Sequence, residues 1–179
     1  MFNGLSMSKY RIKKVKPYSI GRVLAFQALY QEELNPHPFS SMEHSWEDLY
    51  DCYRDETGVS ISAEEKVVAL NFAQMLFEGV IERRSELDKA LSETLDKRTL
   101  KHTTVVDRNI LREATYEMCF IKTPKAIVIS EAIELAKKFS ERTSSAFLNG
   151  VLDQVDIVYF KKSASTIAQD QSVDNIALE

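Results

Sequence analysis

Apolar residues recur at intervals of three and four in residues 127–139 and again in residues 147–159. This spacing puts apolar side chains on one face of an α-helix. A polar segment at 140–145 separates the two stretches, and Thr143 or Ser144 within it can cap the second helix. The pattern therefore predicts two packed amphipathic helices joined by a short polar elbow.

The same spacing predicts five helices earlier in the chain. We place them at residues 19–34, 45–56, 62–84, 85–95 and 104–121. Ser19 can cap the first of them. Three others begin with a capping box, in which two side chains satisfy each other's free backbone N–H groups. The pairs are Ser62 with Glu65, Ser85 with Asp88, and Thr104 with Asp107. No run alternates apolar and polar residues as a half-buried strand would, so we predict an all-α protein of about seven helices.

The literal sequence of the last two helices is more specific than its periodicity. EAIELAKKF at 131–139, a short polar gap and FLNGVLD at 147–153 resemble the C-terminal signature of the NusB family of transcription antitermination factors. Three earlier stretches resemble the family in the same order: AFQALY at 25–30, FAQMLFEGV at 72–80 and VDRNILREATYE at 106–117. The resemblance runs from about residue 20 to residue 153.

This resemblance implies a single NusB-like helical domain at residues 17–161. It would consist of two small helical bundles packed across each other, an N-terminal one at about 17–86 and a C-terminal one at about 87–161. Residues 1–16 have no periodicity and are expected to form a flexible basic arm. Residues 162–179 also lack a usable period, and we expect a disordered tail.

Composition fits a single domain without a membrane segment. The chain has 179 residues, of which 44% are hydrophobic, and no apolar run approaches the roughly 18 residues of a membrane span. The first residues do not form a signal peptide. Cys52 and Cys119 are isolated thiols, which suits a reducing compartment. We therefore expect a cytoplasmic protein.

The charge of the chain is distributed unevenly. The net charge of −4 argues at first against a nucleic-acid partner. Residues 9–22, however, contain six cations and no acid, whereas residues 32–56 contain eight acids and one arginine. One end of the protein can therefore attract phosphate groups although the whole is acidic.

We find no motif for catalysis or for a cofactor. The sequence contains neither of the glycine-rich phosphate-binding motifs G-x-x-x-x-G-K-[ST] and G-x-G-x-x-G. The three histidines are too scattered to form a metal site. Glu131 and Glu134 lie three residues apart, but without a companion histidine they are expected to form a solvated helix face. The sequence therefore predicts a protein that is not an enzyme and has no cofactor or metal.

The resemblance implies that the first helix, its basic lead-in and the start of the last helix bind boxA RNA. The matching positions are Arg22, Gln27, Tyr30, Thr143, Ser144 and Phe147. Family members commonly have an arginine cluster where this chain has Pro-Tyr-Ser-Ile-Gly at 17–21. Upstream lysines would replace that charge, and we add Lys13, Lys14 and Lys16 to the predicted RNA contacts. The residues alone leave other roles open: Tyr30 and Phe147 also suit a core, and the lysines a solvated arm.

The resemblance also implies a protein partner. Family members pair with NusE, a protein of the small ribosomal subunit, and the matching position is Asp107, which could equally be a simple helix cap. The implied function is an adaptor that joins boxA RNA, NusE and RNA polymerase in an antitermination complex during ribosomal RNA synthesis. The alternative is a protein-binding helical adaptor without RNA affinity of its own.

Two further possibilities follow from the family. NusB-like domains also precede RNA methyltransferase domains, but the 17 residues after Lys162 are too few for a cofactor-binding fold. Some family members self-associate, and the sequence leaves open whether this chain forms a homodimer.

Overall fold

The computed structural model describes residues 16–35, 39, 46–95 and 100–155. Within them the chain forms seven α-helices and no strand, which confirms the all-α prediction. The helices are α1 Pro17–Leu34, α2 Trp46–Thr57, α3 Ala63–Glu82, α4 Arg84–Thr94, α5 Val105–Tyr116, α6 Lys125–Phe139 and α7 at 144–155. None of these helices is long and apolar enough to cross a membrane. The predicted tail and all of the predicted arm except Lys16 lie outside the described residues.

Helix α1 packs against both α3 and α5. The approach to α3 is close at Gly21, where an added Cβ would lie 2.8 Å from the carbonyl oxygen of Ala69. Buried apolar side chains from α1 to α7, including Leu24, Leu111 and Leu152, belong to one continuous cluster. The two halves of the chain therefore share a core, and the division into two bundles near residue 86 stays a prediction.

The predicted capping boxes have different outcomes. At the start of α3, the Glu65 N–H donates to Ser62 Oγ and the Ser62 N–H to Glu65 Oε2, at 3.2 and 3.1 Å, so this box is confirmed. The box of Ser85 with Asp88 is wrong, because α4 begins at Arg84 without a side-chain cap. The cap at Ser19 is also wrong, since α1 begins at Pro17, whose fixed backbone angle and missing N–H suit a first helical position.

Asp88 is held by a partner distant in sequence. Arg112 Nε and Nη2 donate to its two carboxylate oxygens at 2.7 and 2.9 Å. Arg112 and Arg108 also donate to Glu33 at the end of α1. Burial raises the pKa of Glu33, but the hydrogen bonds and charges of the two arginines outweigh burial and lower it. These ion pairs attach the C-terminal end of α1 to α4 and α5.

Helix α5 continues into one turn of π-helix at Glu117–Ile121, and Lys122 then adopts a left-handed conformation with φ of 64°. Just before this turn, the Tyr116 ring lies over Gly79 of α3. A Cβ added at Gly79 would lie 2.0 Å from Tyr116 Cζ. The ring also stacks on Phe120 at 5.3 Å between centroids, so it cannot move aside without losing that contact.

We therefore expect Gly79→Ala to lower the free energy of unfolding by about 1–3 kcal/mol, because it overpacks the contact between α3 and α5. Gly150→Ala is the matched control. Gly150 is exposed on α7, and an added Cβ there would meet no described atom within 4 Å. Alanine should raise stability at that position by about 0.5–1 kcal/mol through its better helix propensity. Urea denaturation measures both, and a stabilised Gly79→Ala protein would contradict the close contact.

Candidate nucleic-acid interface

A cavity of about 490 Å³ lies between the start of α5 and the elbow that joins α6 to α7. We call it the elbow groove. It is lined by His102, Thr103, Thr104, Asp107, Glu141, Thr143, Ser144 and Phe147. The elbow is short because α6 ends at Phe139 and α7 begins at residue 144. Three predicted RNA contacts and the predicted NusE contact thus line one cavity.

A second cavity, of about 500 Å³, lies between α1, α2 and the end of α6. We call it the α1 cleft. Its lining residues are Phe26, Gln27, Tyr30, Gln31, Leu49, Cys52, Glu56, Val106 and Phe139. Val106 and Phe139 directly precede Asp107 and Ser140, which hydrogen bond to each other. The two cavities therefore flank the same contact between α5 and α6, and the fold brings predicted residues of α1 close to those of α7.

Aromatic rings form part of the α1 cleft. The centroids of Phe26 and Phe139 are 4.9 Å apart, and those of Phe26 and Tyr30 are 6.2 Å apart. Tyr30 is 38% exposed and Phe139 37% exposed, so each keeps ring surface in contact with solvent. Flat exposed rings are what unstacked RNA bases stack on.

Sequence reasoning missed Phe139. Its position at the end of the apolar stripe of α6 indicates a core residue, and only the crossing of α6 over Phe26 of α1 shows that its ring borders a cavity. The one available signal was its place in the last turn of the helix, beside the polar elbow.

Gln27 contributes a polar group to the α1 cleft. Its Oε1 atom is buried and has no hydrogen-bond partner among the described residues. Leaving a buried acceptor unsatisfied costs about 1–3 kcal/mol. A ligand with an N–H group in the cleft would remove that cost, so Gln27 is suited to bind the edge of a base.

Arg22 does not lie on this surface. It is 6% exposed, and its Nε and Nη2 donate to the two carboxylate oxygens of Glu117 at 2.8 and 2.5 Å. Glu131 of α6 lies 3.5 Å from Nη1, and the guanidinium also lies over the Phe72 ring. Burial lowers the pKa of Arg22, but the hydrogen bond and charge of Glu117 outweigh burial and raise it. Its contact with RNA stays a prediction that this geometry does not favour.

The remaining predicted residues divide between exposed and buried positions. Lys16 is exposed at the start of α1. Thr143 is exposed in the elbow and Phe147 is partly buried against the core, whereas Ser144 and Asp107 are each 6% exposed. Lys13 and Lys14 lie outside the described residues. In the part of the chain that the structure describes, no group of histidine, cysteine, aspartate and glutamate side chains could hold a metal ion.

Comparisons with known proteins agree with this fold. Residues 19–156 match the sequence pattern of the NusB family. Transcription antitermination protein NusB of Elusimicrobium minutum is 45% identical over 105 residues, which are 58% of this chain and 72% of that protein. The structure of T. maritima NusB is 34% identical with a TM-score of 0.60, covering 79% of this chain and 92% of that one. A crystal structure of NusB and NusE in complex with dsRNA has a TM-score of 0.62 at 22% identity, covering 80% and 98%, and shows a shared fold.

Proposed function

Because the chain belongs to the NusB family of transcription antitermination proteins, we propose that it binds boxA RNA together with NusE. In this role it supports processive transcription of ribosomal RNA as part of an RNA polymerase antitermination complex. We place the activity in the cytoplasm and assign it no catalytic step. NusB and NusE occur together with RNA in a structure of the same fold, which supports this pairing.

The observation that carries the RNA proposal is the composition of the α1 cleft. Two partly exposed aromatic rings, Tyr30 and Phe139, line the same cleft as the buried Oε1 atom of Gln27. That atom has no hydrogen-bond partner among the described residues. Rings supply stacking for bases of any sequence, and an amide oxygen can distinguish bases by their N–H groups. The exposed Lys16 and the further cations of residues 9–14 would supply phosphate contacts.

A protein-binding adaptor without RNA affinity is the second candidate. The observation in its favour is the burial of Arg22, since this chain lacks the arginine cluster at 17–21 and Arg22 is already paired with Glu117. In that case NusE would bind, but boxA and scrambled RNA would bind equally weakly.

Fluorescence anisotropy with labelled boxA RNA and scrambled RNA, with and without NusE, separates the two candidates. We expect tighter binding of boxA, strengthened by NusE. Tyr30→Ala should weaken boxA binding by about tenfold, because stacking on one ring contributes about 1–3 kcal/mol. Met75→Ala is the control, since Met75 is 42% exposed on α3 and lines neither the elbow groove nor the α1 cleft. Equal affinity for the two RNAs would refute the RNA proposal, and equal losses in the two variants would place the contact elsewhere.

A further inference from the structure

Both oxygens of the Asp107 carboxylate accept a hydrogen bond inside the protein. Ser140 Oγ donates to its Oδ1 at 2.6 Å, and Ser144 Oγ donates to its Oδ2 at 3.0 Å. Its own backbone N–H donates to Thr104 Oγ1 at 3.1 Å, which caps α5. With 6% of its surface exposed, Asp107 has little left to offer a partner protein.

The protons in this cluster can be assigned. Each serine hydroxyl has one proton, and an ionised carboxylate has only acceptors, so both protons point to Asp107. The two hydroxyl oxygens are also 2.8 Å apart, so Ser140 Oγ lies within hydrogen-bond distance of Ser144 Oγ as well as of Asp107 Oδ1. Asp107 therefore determines the orientation of both side chains. Hydrogen bonds to an ionised acceptor are roughly twice as strong as neutral ones.

The two serines bracket the elbow. Ser140 is the C-cap residue of α6, and Ser144 is the first residue of α7. One carboxylate on α5 thus fixes the end of one helix and the start of the next, while the residues between them are exposed. Thr143 and Phe147, the proposed RNA contacts of the elbow groove, immediately precede and closely follow Ser144.

We infer that Asp107 and Ser144 are positioning residues, which hold the elbow of α6 and α7 in the conformation that binds RNA and contact neither RNA nor protein themselves. This inference rests on the proposed function for its ligand, but its geometry is independent of that function. It replaces the expectation that Asp107 is a contact for NusE. It also assigns the buried Ser144 the role of positioning the elbow, which the exposed Thr143 cannot have.

Four variants and a control test the inference. We expect Asp107→Asn, Ser144→Ala and Ser140→Ala/Ser144→Ala each to weaken boxA binding in the absence of NusE by about tenfold, from the loss of charge-assisted hydrogen bonds. The double variant Asp107→Asn/Ser144→Ala should lose no more affinity for boxA RNA than the single variant with the larger loss, because both changes break the same cluster. Ser130→Ala, at an exposed position of α6, should bind as the wild type does.

NMR amide spectra supply a second measurement, which a change in global stability alone would not alter. In Asp107→Asn and Ser144→Ala the amide resonances of residues 141–147 should shift or broaden, while those of α3 keep their positions. Loss of NusE affinity in Asp107→Asn, with wild-type RNA affinity and an unchanged elbow spectrum in Ser144→Ala, would make Asp107 a direct partner contact and overturn the inference. If the wild type does not prefer boxA, the proposed function fails, and the elbow spectra alone still decide whether Asp107 positions the elbow.

Discussion

Replacing Arg22 by methionine is expected to lower the free energy of unfolding by about 3–5 kcal/mol, as urea denaturation would measure. Arg22 is the described partner of the Glu117 carboxylate, whose side chain is 1% exposed. Without the guanidinium, the Glu117 carboxylate is left buried with no compensating charge beside it. This costs free energy that is absent in the unfolded chain, where Glu117 is in water.

The double variant Arg22→Met/Glu117→Met is the control for this prediction. Replacing both members of a buried ion pair by apolar residues is often neutral or stabilising, so most of the lost stability should return. A double variant as unstable as Arg22→Met alone would contradict the assignment of the loss to an unpaired charge. The double variant also tests the role predicted for Arg22 at the RNA surface. Wild-type affinity for boxA RNA would leave Arg22 a purely structural role, whereas a loss of about tenfold would restore it as a contact.

The helices were predictable from the sequence because their cause is local. Apolar spacing of three and four acts within one helix, and it placed α2 at 45–56 where the structure has Trp46–Thr57. The capping boxes were less reliable because a side chain can have a stronger partner elsewhere. Asp88 has the spacing of a capping box with Ser85, but Arg112, 24 residues away, takes its carboxylate instead.

The candidate site was predictable only as far as it resembles a family. Resemblance gave Gln27, Tyr30, Thr143 and Phe147 as RNA contacts, and the structure places them at two neighbouring cavities, although nothing in their spacing relates α1 to α7. It could not show that Arg22 is buried, because that depends on Glu117 and Glu131 of two other helices. Interactions between distant helices are set by packing, which a single sequence does not display.

Glu113 is a second buried charge-bearing side chain near Arg22. It is 2% exposed, and neither carboxylate oxygen has a hydrogen-bond partner among the described residues. Burial raises its pKa well above the ordinary value, the negative charge of Glu117 raises it further, and Arg22 of α1 partly opposes both. Glu131 of α6 lies 3.5 Å from the Arg22 guanidinium on which Glu113 also acts. The folded protein therefore keeps the Glu113 proton at a pH where the unfolded chain has released it.

Stability should consequently fall as pH rises from the ordinary glutamate pKa of about 4.3 toward the raised pKa of the folded state, because unfolding releases a proton in that window. Glu113→Gln removes this ionisation at nearly constant shape. We expect the free energy of unfolding of Glu113→Gln to gain on that of the wild type by up to about 1.4 kcal/mol per pH unit as pH rises above about 5 toward the raised pKa of the folded state. The two free energies should converge below about pH 4. Urea denaturation across this range measures the difference. Glu113→Met should show the same trend with a higher stability throughout, since it also removes the unpartnered oxygens. Parallel stability curves for the wild type and Glu113→Gln would show that Glu113 is ionised in the folded protein.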